Sequence, residues 1–264
     1  MYPIPVAIIM VKDLFSVENK VVCISGSSRG LGKAIAQGFA ERGAKVIISS
    51  WDREELANTK QELGSQGLAV ESVVLDVRSQ SDCQRFVDTA LQLHGTLDVM
   101  ICNAGTDIIK PAEQYEENEW DRILDINLRG YYFCAQFAAQ YMLSVGRGSI
   151  IMTSSIAGSA GIPGLAPYAA SKGGINQLVR TMGVEWAQRG VRVNAIAPGY
   201  IENIMADVKF DEDDPYQKRV VTFTPMRRRG AVDEFLGAYL FLASAASSYI
   251  TGEVLYVDGG YHAA

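Results

Sequence analysis

Histidine is scarce in this chain, with two in 264 residues. His94 stands just before the run GTLDV, and His262 lies close to the end of the chain. A Ser–His–Asp hydrolase or a zinc enzyme with histidine ligands would need one of them at its centre. Neither is well placed for that role, so proton transfer must use other side chains, and we expect no metal site.

Cysteine is almost as scarce, and its spacing excludes a further class of site. The four cysteines include no C-x-x-C pair, and three of them stand among apolar residues. This setting is typical of reduced core cysteines rather than of zinc ligands or disulfides. The four are Cys23, Cys83, Cys102 and Cys134.

Excess positive charge and long apolar runs are also missing. The formal net charge is −6, which disfavours a nucleic-acid partner because phosphate binding needs a basic face. No apolar run approaches the ~20 residues of a membrane span, so we expect no membrane partner. Residues 1–14 begin with an apolar patch but lack a basic leader and a cleavage site. They predict a flexible N-terminal extension, or a true start at Met10, and hence a cytoplasmic protein.

Apolar runs of strand length alternate with amphipathic helical stretches from residue 21 onward. The strand-like runs are residues 21–25, 45–49, 69–75, 97–102, 149–154, 191–196 and 253–257, and the helical stretches are 30–42, 52–66, 80–93, 118–145, 167–189 and 231–243. Nearly all-apolar strands are typical of a parallel sheet covered on both faces. We therefore predict an α/β fold: a doubly wound, seven-stranded, mostly parallel sheet of Rossmann type in a single domain, residues 15–264. The long irregular stretch at about 199–226 predicts a substrate lid.

A glycine-rich turn, SGSSRGLG, joins the first strand to the first helix. Gly26, Gly30 and Gly32 would let the backbone approach a pyrophosphate at the helix N-terminus. No Gly-Lys-Ser/Thr follows, so a kinase or NTPase site is disfavoured. Asp76 and the NAG sequence of residues 103–105 follow the third and fourth strands, at the edge where such sheets bind ligands. Taken singly, Asp76 could be a helix cap and NAG a plain turn.

In the stretch APYAASKGG, Tyr168 and Lys172 stand four residues apart and so share one face of a helix. With these residues the chain resembles the short-chain dehydrogenase/reductase family over about residues 15–261. The resemblance rests on Gly26, Gly30, Gly32, Asp76, Asn103, Ala104, Gly105, Asn127, Ser155, Tyr168, Lys172, Pro198 and Gly199. The stretches EWAQRG, NAIAPGYI and FLASAASSYITGEVLYVDGG are most similar to gluconate 5-dehydrogenase-type members.

The resemblance implies a catalytic tetrad of Asn127, Ser155, Tyr168 and Lys172. Tyr168 would exchange the substrate proton, since the Lys172 ammonium and the positive nicotinamide ring lower the pKa of its phenol. Ser155 would hydrogen-bond the substrate oxygen, and Asn127 would bind a water that relays protons to Lys172. Ser154 competes with Ser155, but the spacing to Tyr168 matches the family for Ser155. Alone, each of these residues could be structural.

The resemblance also implies the cofactor contacts. These are Gly26, Ser28, Arg29, Gly30, Leu31, Gly32, Ser50, Asp76, Val77, Asn103, Ala104, Gly105, Tyr168, Lys172, Pro198, Gly199, Ile201 and Asn203. At the last position the family usually carries a hydroxyl residue, so the contact with the carboxamide is altered.

The end of the second strand bears on the choice of cofactor. It reads IISSWD, so Ser50 stands where enzymes specific for NAD carry an acid. Arg29 could reach a 2′-phosphate, whereas Trp51 stands where many relatives have a second basic residue. Asp52 would repel a phosphate unless it caps the following helix, which we expect. The sequence favours NADP(H), with NAD(H) as the alternative.

The predicted function is an NAD(P)-dependent oxidoreductase that interconverts a secondary alcohol and a ketone. A sugar acid, a polyol or a similar small polar molecule is the expected substrate, and the run Arg227–Arg229 could attract a carboxylate, although a structural role is favoured. The alternatives are a 3-oxoacyl-[acyl-carrier-protein] reductase and, in another class, a nucleotide-sensing binding protein. Apolar helices at 118–145 and 167–189, which pair in this family, predict a homotetramer.

Overall fold

A computed structural model describes residues 13–202 and 215–264, with side chains from residue 218 in the second range. Its strands form one sheet in the order β3-β2-β1-β4-β5-β6-β7, and every pair is parallel. They are β1 Val21–Ile24, β2 Lys45–Ser50, β3 Val70–Val74, β4 Val99–Cys102, β5 Gly148–Thr153, β6 Val191–Pro198 and β7 Val254–Val257. The predicted doubly wound, seven-stranded sheet is confirmed.

Helices connect the strands on both faces of the sheet. They are α1 Gly30–Ala40, α2 Arg53–Ser65, α3 Gln80–His94, α4 Glu117–Leu124, α5 Gly130–Val145, α6 Ala166–Trp186, α7 Pro215–Phe223 and α8 Asp233–Ala243. The stretch predicted as one helix over 118–145 is α4 and α5 joined by a π-helical turn, Asp125–Arg129. The expectation of an irregular segment over all of 199–226 is wrong, because α7 lies within it. Its proline at the first position is compatible with a helix start, a signal that we missed.

Each face of the sheet carries its own apolar core. Along β4, Val99 and Ile101 belong to the core under α1, α2 and α8, while Met100 and Cys102 belong to the core under α3, α5 and α6. Both sets are fully buried, which explains why β4 is apolar at every position.

The order of the strands reverses at β1, which pairs with β2 on one side and β4 on the other. In open α/β sheets, ligands bind at the carboxyl ends of the strands at such a switch point. The segments that follow β1 and β4 contain the glycine-rich turn and the NAG sequence. The topology therefore brings these two motifs together.

Candidate active site

The glycine-rich turn is packed too tightly for side chains. Gly26 and Gly30 have positive φ angles, +62° and +55°, and a Cβ at Gly26 would lie 2.5 Å from the Cα of Ala104. A Cβ at Gly32 would lie 2.2 Å from the carbonyl oxygen of Gly26. Arg29, which precedes α1, makes no side-chain cap among the described contacts. The first backbone N–H groups of α1 are therefore available to an anion, and the cradle fits the pyrophosphate of a dinucleotide.

Asn103 holds this turn against the sheet. Its Nδ2 donates to the carbonyl oxygen of Gly26 at 2.9 Å. The hydroxyl of Ser25 accepts from the backbone N–H groups of Asn103 and Ala104 at 2.9 and 3.1 Å. Asn103 thus supports the cradle through its side chain. Ser25 has the same task, and sequence reasoning missed it, although it stands directly before the first glycine.

The region expected to hold the adenosine ribose contains one carboxylate that we did not predict. Glu55 accepts from the hydroxyl of Ser28 at 2.6 Å and lies 3.6 Å from Nε of Arg29. Ser50 is buried, and Trp51 is 72% exposed. Glu55 lies in the first turn of α2. No local sequence signal marks it, because its contact with Ser28 depends on how α2 packs beside the glycine-rich turn.

Asp52 caps α2, as expected. Its carboxylate accepts from the backbone N–H groups of Glu54 and Glu55 at 2.9 and 3.0 Å. The negative charge is therefore used at the helix N-terminus, where the helix dipole stabilises it.

Asp76 is not a helix cap, because Ser79 caps α3. The Asp76 carboxylate instead accepts from the guanidinium of Arg78 at 2.6 to 3.1 Å. The side-chain hydrogen bond from Arg78 lowers the pKa of Asp76. Val77 is buried, and a Cβ at Gly130 would lie 2.8 Å from its Cβ, so α5 approaches this strand end closely.

The segment after β6 lies against the chain that follows β7. Pro198 ends β6, and a Cβ at Gly199 would lie 2.7 Å from the Cα of Asp258. Ile201 forms a bridge with Gly230. Asn203, the predicted carboxamide contact, lies outside the described residues.

Tyr168 and Lys172 stand one turn apart on α6, and both face the end of β5. Nζ of Lys172 donates to the carbonyl oxygen of Thr153 at 2.7 Å and lies 5.5 Å from the ring centroid of Tyr168. Lys172 is 3% exposed, whereas Tyr168 is half-buried. Tyr131, which sequence reasoning missed, covers the amine from α5, with 4.9 Å between Nζ and its ring centroid.

Burial dominates the electrostatics of this pair. It raises the pKa of Tyr168 to about 12, although a hydrogen bond from Ser155 opposes the change. It lowers the pKa of Lys172 to about 7, an effect that Asp107 opposes. Lys172 alone does not lower the pKa of Tyr168, because desolvation penalises both charged forms. The expected lowering by Lys172 together with the nicotinamide ring stays a prediction. A further positive charge beside the phenol is needed to favour the phenolate.

The structure separates the two candidate serines. Ser154 is buried, and its hydroxyl donates to Oδ1 of Asn176 at 2.6 Å. Ser155 is only half-buried and lies close enough to hydrogen-bond Tyr168. Ser155 is thus the serine that faces the tyrosine.

Asn127 lies in the π-helical turn, a distortion that often marks functional sites. It is fully buried. Its Oδ1 accepts from the N–H of Thr106 at 2.9 Å, and its Nδ2 donates to the carbonyl oxygen of Thr106 at 2.8 Å and to the Ser171 hydroxyl at 3.3 Å. The widened turn brings this amide to the chain that follows the NAG sequence.

Three other expectations concern charge, metals and membrane spans. Arg228, the middle residue of the basic run, donates to Glu234 at 2.6 and 2.7 Å, which agrees with a structural role. Within residues 13–202 and 215–264 there is no group of three His, Cys, Asp or Glu residues that could hold a metal ion. In the same ranges no helix is both long and apolar enough to cross a membrane.

Comparisons with known proteins agree with this geometry. A family model described as enoyl-(acyl carrier protein) reductase matches residues 26–262. A gluconate 5-dehydrogenase from Gluconobacter oxydans is 34% identical over 94% of this chain and 96% of its own length. A sorbose reductase from Candida albicans is 38% identical over 95% of this chain and 90% of its own length. The structure of a gluconate 5-dehydrogenase from Burkholderia cenocepacia with NADP and tartrate is 34% identical, with a TM-score of 0.89 over 96% of this chain and 98% of that one.

Proposed function

The chain belongs to the short-chain dehydrogenase/reductase family, and from that premise we propose that Asn127, Ser155, Tyr168 and Lys172 are its catalytic tetrad. The reaction is hydride transfer between a nicotinamide cofactor and a secondary alcohol or ketone. The observation that carries the proposal is the meeting of Ser155, Tyr168 and Lys172 at the carboxyl edge of the sheet, beside a glycine cradle that fits a dinucleotide.

Each residue of the tetrad has a physical task in the proposed mechanism. The bound nicotinamide supplies the carbon that accepts or gives the hydride and a positive charge when oxidised. Tyr168 takes the hydroxyl proton of the alcohol in oxidation and donates it to the ketone oxygen in reduction. Ser155 donates a hydrogen bond to that oxygen as negative charge develops on it. Lys172, held by the carbonyl oxygen of Thr153, stabilises the phenolate and holds the nicotinamide ribose.

Asn127 has both a structural and a relay task in this proposal. Its amide clamps the peptide groups of Thr106. It also donates a hydrogen bond to the hydroxyl of Ser171, the residue before Lys172. A water bound at this amide would return the proton from Lys172 to solvent. The π-helical turn is the backbone feature that makes the clamp possible.

NADP(H) is the proposed cofactor. Ser50 leaves the end of β2 without a carboxylate, and Asp52 is committed to capping α2. Arg29 lies at the entrance to the same region, with a side chain that is 71% exposed. A solved relative contains NADP. The cradle residues Gly26, Gly30 and Gly32 would hold the pyrophosphate with the N-terminus of α1.

The proposed substrate is a small polyhydroxylated molecule, a sugar acid or a polyol. The relatives named above act on gluconate and sorbose by their names. A 3-oxoacyl carrier-protein reductase is the second candidate in the same class, but carrier proteins are acidic and the net charge of −6 fits them less well. A sensor without catalysis is disfavoured, because it would have no use for the Tyr168–Lys172 pair. We also propose that the chain around residues 199–226, of which 203–214 lie outside the described residues, forms a substrate lid.

We propose a homotetramer as the working assembly. A groove of 870 Å³ on the outer side of α4, α5 and α6 is lined mainly by apolar atoms, including those of Leu128, Tyr132, Phe133, Leu178 and Trp186. Tyr249, near the C-terminal edge of the sheet, is fully exposed and fits a second contact. Free, buried cysteines support the cytoplasm as its compartment.

The decisive experiment is a substrate panel with NADP⁺ and NADPH. It contains polyols, aldonic acids, the ketones derived from them and an acyl thioester. Turnover of the polyhydroxylated group and little with the thioester supports the proposal. Turnover of the thioester alone would replace it with the reductase alternative, and cofactor binding without turnover would replace it with a sensor.

A further inference from the structure

Ser155 stands at the start of a short 3₁₀ turn, Ile156–Gly158, that follows β5. Its backbone is extended, and its Oγ accepts a hydrogen bond from the N–H of Ala157 at 3.1 Å. The N–H of Gly158 closes the turn by donating to the carbonyl oxygen of Ser155 at 2.9 Å. Because Oγ accepts from Ala157, the hydroxyl proton of Ser155 is left to donate elsewhere. The position of this turn therefore sets the direction in which that hydroxyl donates.

The amide of Asn176 binds the chain on both sides of Ser155. Its Oδ1 accepts from the hydroxyl of Ser154, the preceding residue, at 2.6 Å. Its Nδ2 donates to the carbonyl oxygen of Gly158 at 3.3 Å and to Oγ of Ser159 at 3.2 Å. A carbonyl oxygen can only accept, so the bond to Gly158 fixes which end of the amide faces the turn. Both N–H groups of the amide are thus bound to the segment that follows Ser155.

Asn176 lies on α6, one helical turn beyond Lys172 and two turns beyond Tyr168. Residues spaced by four share one side of a helix, and this side of α6 meets the end of β5. The turn packs directly on it, because a Cβ at Gly158 would lie 2.9 Å from both Nδ2 of Asn176 and the carbonyl oxygen of Lys172. The amide is almost fully buried there, with 2% of Asn176 exposed. One helix thus carries the proton-transfer pair and the group that holds the serine turn.

We propose that Asn176 is a positioning residue for catalysis: its amide holds the turn that begins at Ser155 against α6, so that the serine hydroxyl and the phenol of Tyr168 meet the same substrate oxygen. This inference deepens the proposed function and rests on it, because that oxygen belongs to the proposed alcohol or ketone. Asn176 itself touches neither substrate nor cofactor and acts through Ser155. Its loss should therefore affect the transition state rather than cofactor binding.

Packing alone does not require an amide at this position. Burying an amide costs free energy that its hydrogen bonds only offset, whereas a leucine of nearly the same shape has no such cost. Apolar contacts are not directional, but hydrogen bonds to fixed atoms on both sides of Ser155 favour one orientation of the turn. That orientation matters for a donor to developing negative charge, since a displacement of about 1 Å can cost ~10²-fold in rate. The network around Asn176 supplies the alignment that such a donor needs.

A double-mutant cycle with Ser155 tests the proposal. We would measure kcat, KM and the dissociation constant of NADP⁺ for wild type, Asn176→Leu, Ser155→Ala and the double variant, with the substrate of the panel that wild type turns over fastest. Asn194→Leu is the matched control, because Asn194 is equally buried but lies in the middle of β6. Its amide donates to the carbonyl oxygen of Ile250 at 2.9 Å and accepts from the N–H of Glu253 at 3.0 Å, in the chain that leads into β7.

Asn176→Leu should lower kcat about 10- to 100-fold and leave the dissociation constant of NADP⁺ within about twofold of wild type. In the Ser155→Ala background the same substitution should change kcat by less than about threefold, because the hydroxyl that it misaligns is already gone. Asn194→Leu should lose stability in thermal melts but keep the kcat of the folded enzyme. Asn176→Ser, whose hydroxyl ends one bond short of the amide atoms, repeats the cycle with a smaller change in the core.

Three results would overturn the proposal, and they are distinguishable. An additive loss in the double variant, weakened NADP⁺ binding in Asn176→Leu, or the same loss of kcat in Asn194→Leu would show that Asn176 supports the fold rather than the serine. Unchanged kcat in both Asn176→Leu and Asn176→Ser would refute any role in catalysis, and the dehydrogenase function would stand in either case. Absence of turnover by wild type with every alcohol and ketone would refute the proposed function itself, and the role of Asn176 with it.

Discussion

Arg29 offers the sharpest test of how this protein selects its cofactor. If its guanidinium binds the 2′-phosphate of NADP(H), Arg29→Ala should weaken NADP⁺ binding and leave NAD⁺ binding unchanged. In the structure Arg29 is paired instead with Glu55, at 3.6 Å, and the two side chains are 71% and 32% exposed. Glu55 therefore competes with the phosphate for the charge of Arg29.

The two contributions can be compared. An exposed ion pair contributes ~0–1 kcal/mol, so releasing Arg29 from Glu55 costs little. A hydrogen bond to a charged group contributes about 1.5–3 kcal/mol. The difference, about 0.5–3 kcal/mol, corresponds to a factor of roughly 2 to 160 in the dissociation constant. Glu55→Gln removes the competing charge and should tighten NADP⁺ binding by up to about fivefold.

Isothermal titration calorimetry with NADP⁺ and NAD⁺ measures both effects without turnover, and kcat/KM with each cofactor follows them into catalysis. Arg189→Ala is the control, because this exposed arginine precedes β6 and so lies at the opposite edge of the sheet. A wild-type preference for NAD⁺, or an unchanged ratio of dissociation constants in Arg29→Ala, would refute the reasoning. Weaker NADP⁺ binding in Glu55→Gln would show that Glu55 positions Arg29 rather than competing for it.

Three further predictions follow from the cradle and the tetrad. Tyr168→Phe keeps the ring but loses the proton, so turnover should fall ~10²-fold or more while calorimetry shows unchanged cofactor binding; near-normal turnover would remove Tyr168 from the mechanism. Gly26→Ala and Gly67→Ala both place alanine at a positive φ angle, but only the Cβ at position 26 would also contact a neighbour, Ala104. Gly26→Ala alone should therefore lose cofactor binding, and equal binding in both variants would contradict the cradle. Burial lowers the pKa of Lys172 from its ordinary 10.5 to about 7, so between these values the unfolded chain binds more protons than the folded protein. Urea titrations of wild type and Lys172→Met give the difference between their free energies of unfolding. This difference, wild type minus variant, should rise between pH 7.5 and 9.5 by up to about 1.4 kcal/mol per pH unit, and a flat difference would disprove the buried amine.

Local patterns in the sequence were enough to predict the sheet and the position of its motifs. The seven apolar runs became the seven strands. Strands of a sheet covered on both faces consist mainly of apolar residues, so they stand out in the sequence. Asp52 was predicted to cap α2 from its place before a helical stretch, since a cap depends on residues three or four positions apart. The spacing of Tyr168 and Lys172 likewise placed them on one face of α6.

Other features depend on residues far apart in the chain and needed the tertiary structure. Glu55 meets Ser28 and Arg29 only because α2 packs beside the glycine-rich turn. The π-helical turn lies where the helix packs on the sheet and Asn127 binds Thr106. A sequence pattern with a period of 3.6 residues does not reveal such a local widening of the helix.

The electrostatics of Tyr168 and Lys172 was decided by the tertiary structure alone. From sequence, Lys172 and the positive nicotinamide ring together were expected to lower the pKa of Tyr168, with Lys172 one helical turn away. The packing of α6 against β5 and Tyr131 removes water from the amine, and the loss of solvation outweighs the attraction between the charged forms. The sequence by itself determined which residues meet at this edge of the sheet. Only the fold decided how dry their surroundings are, because solvation is a property of the whole packed neighbourhood.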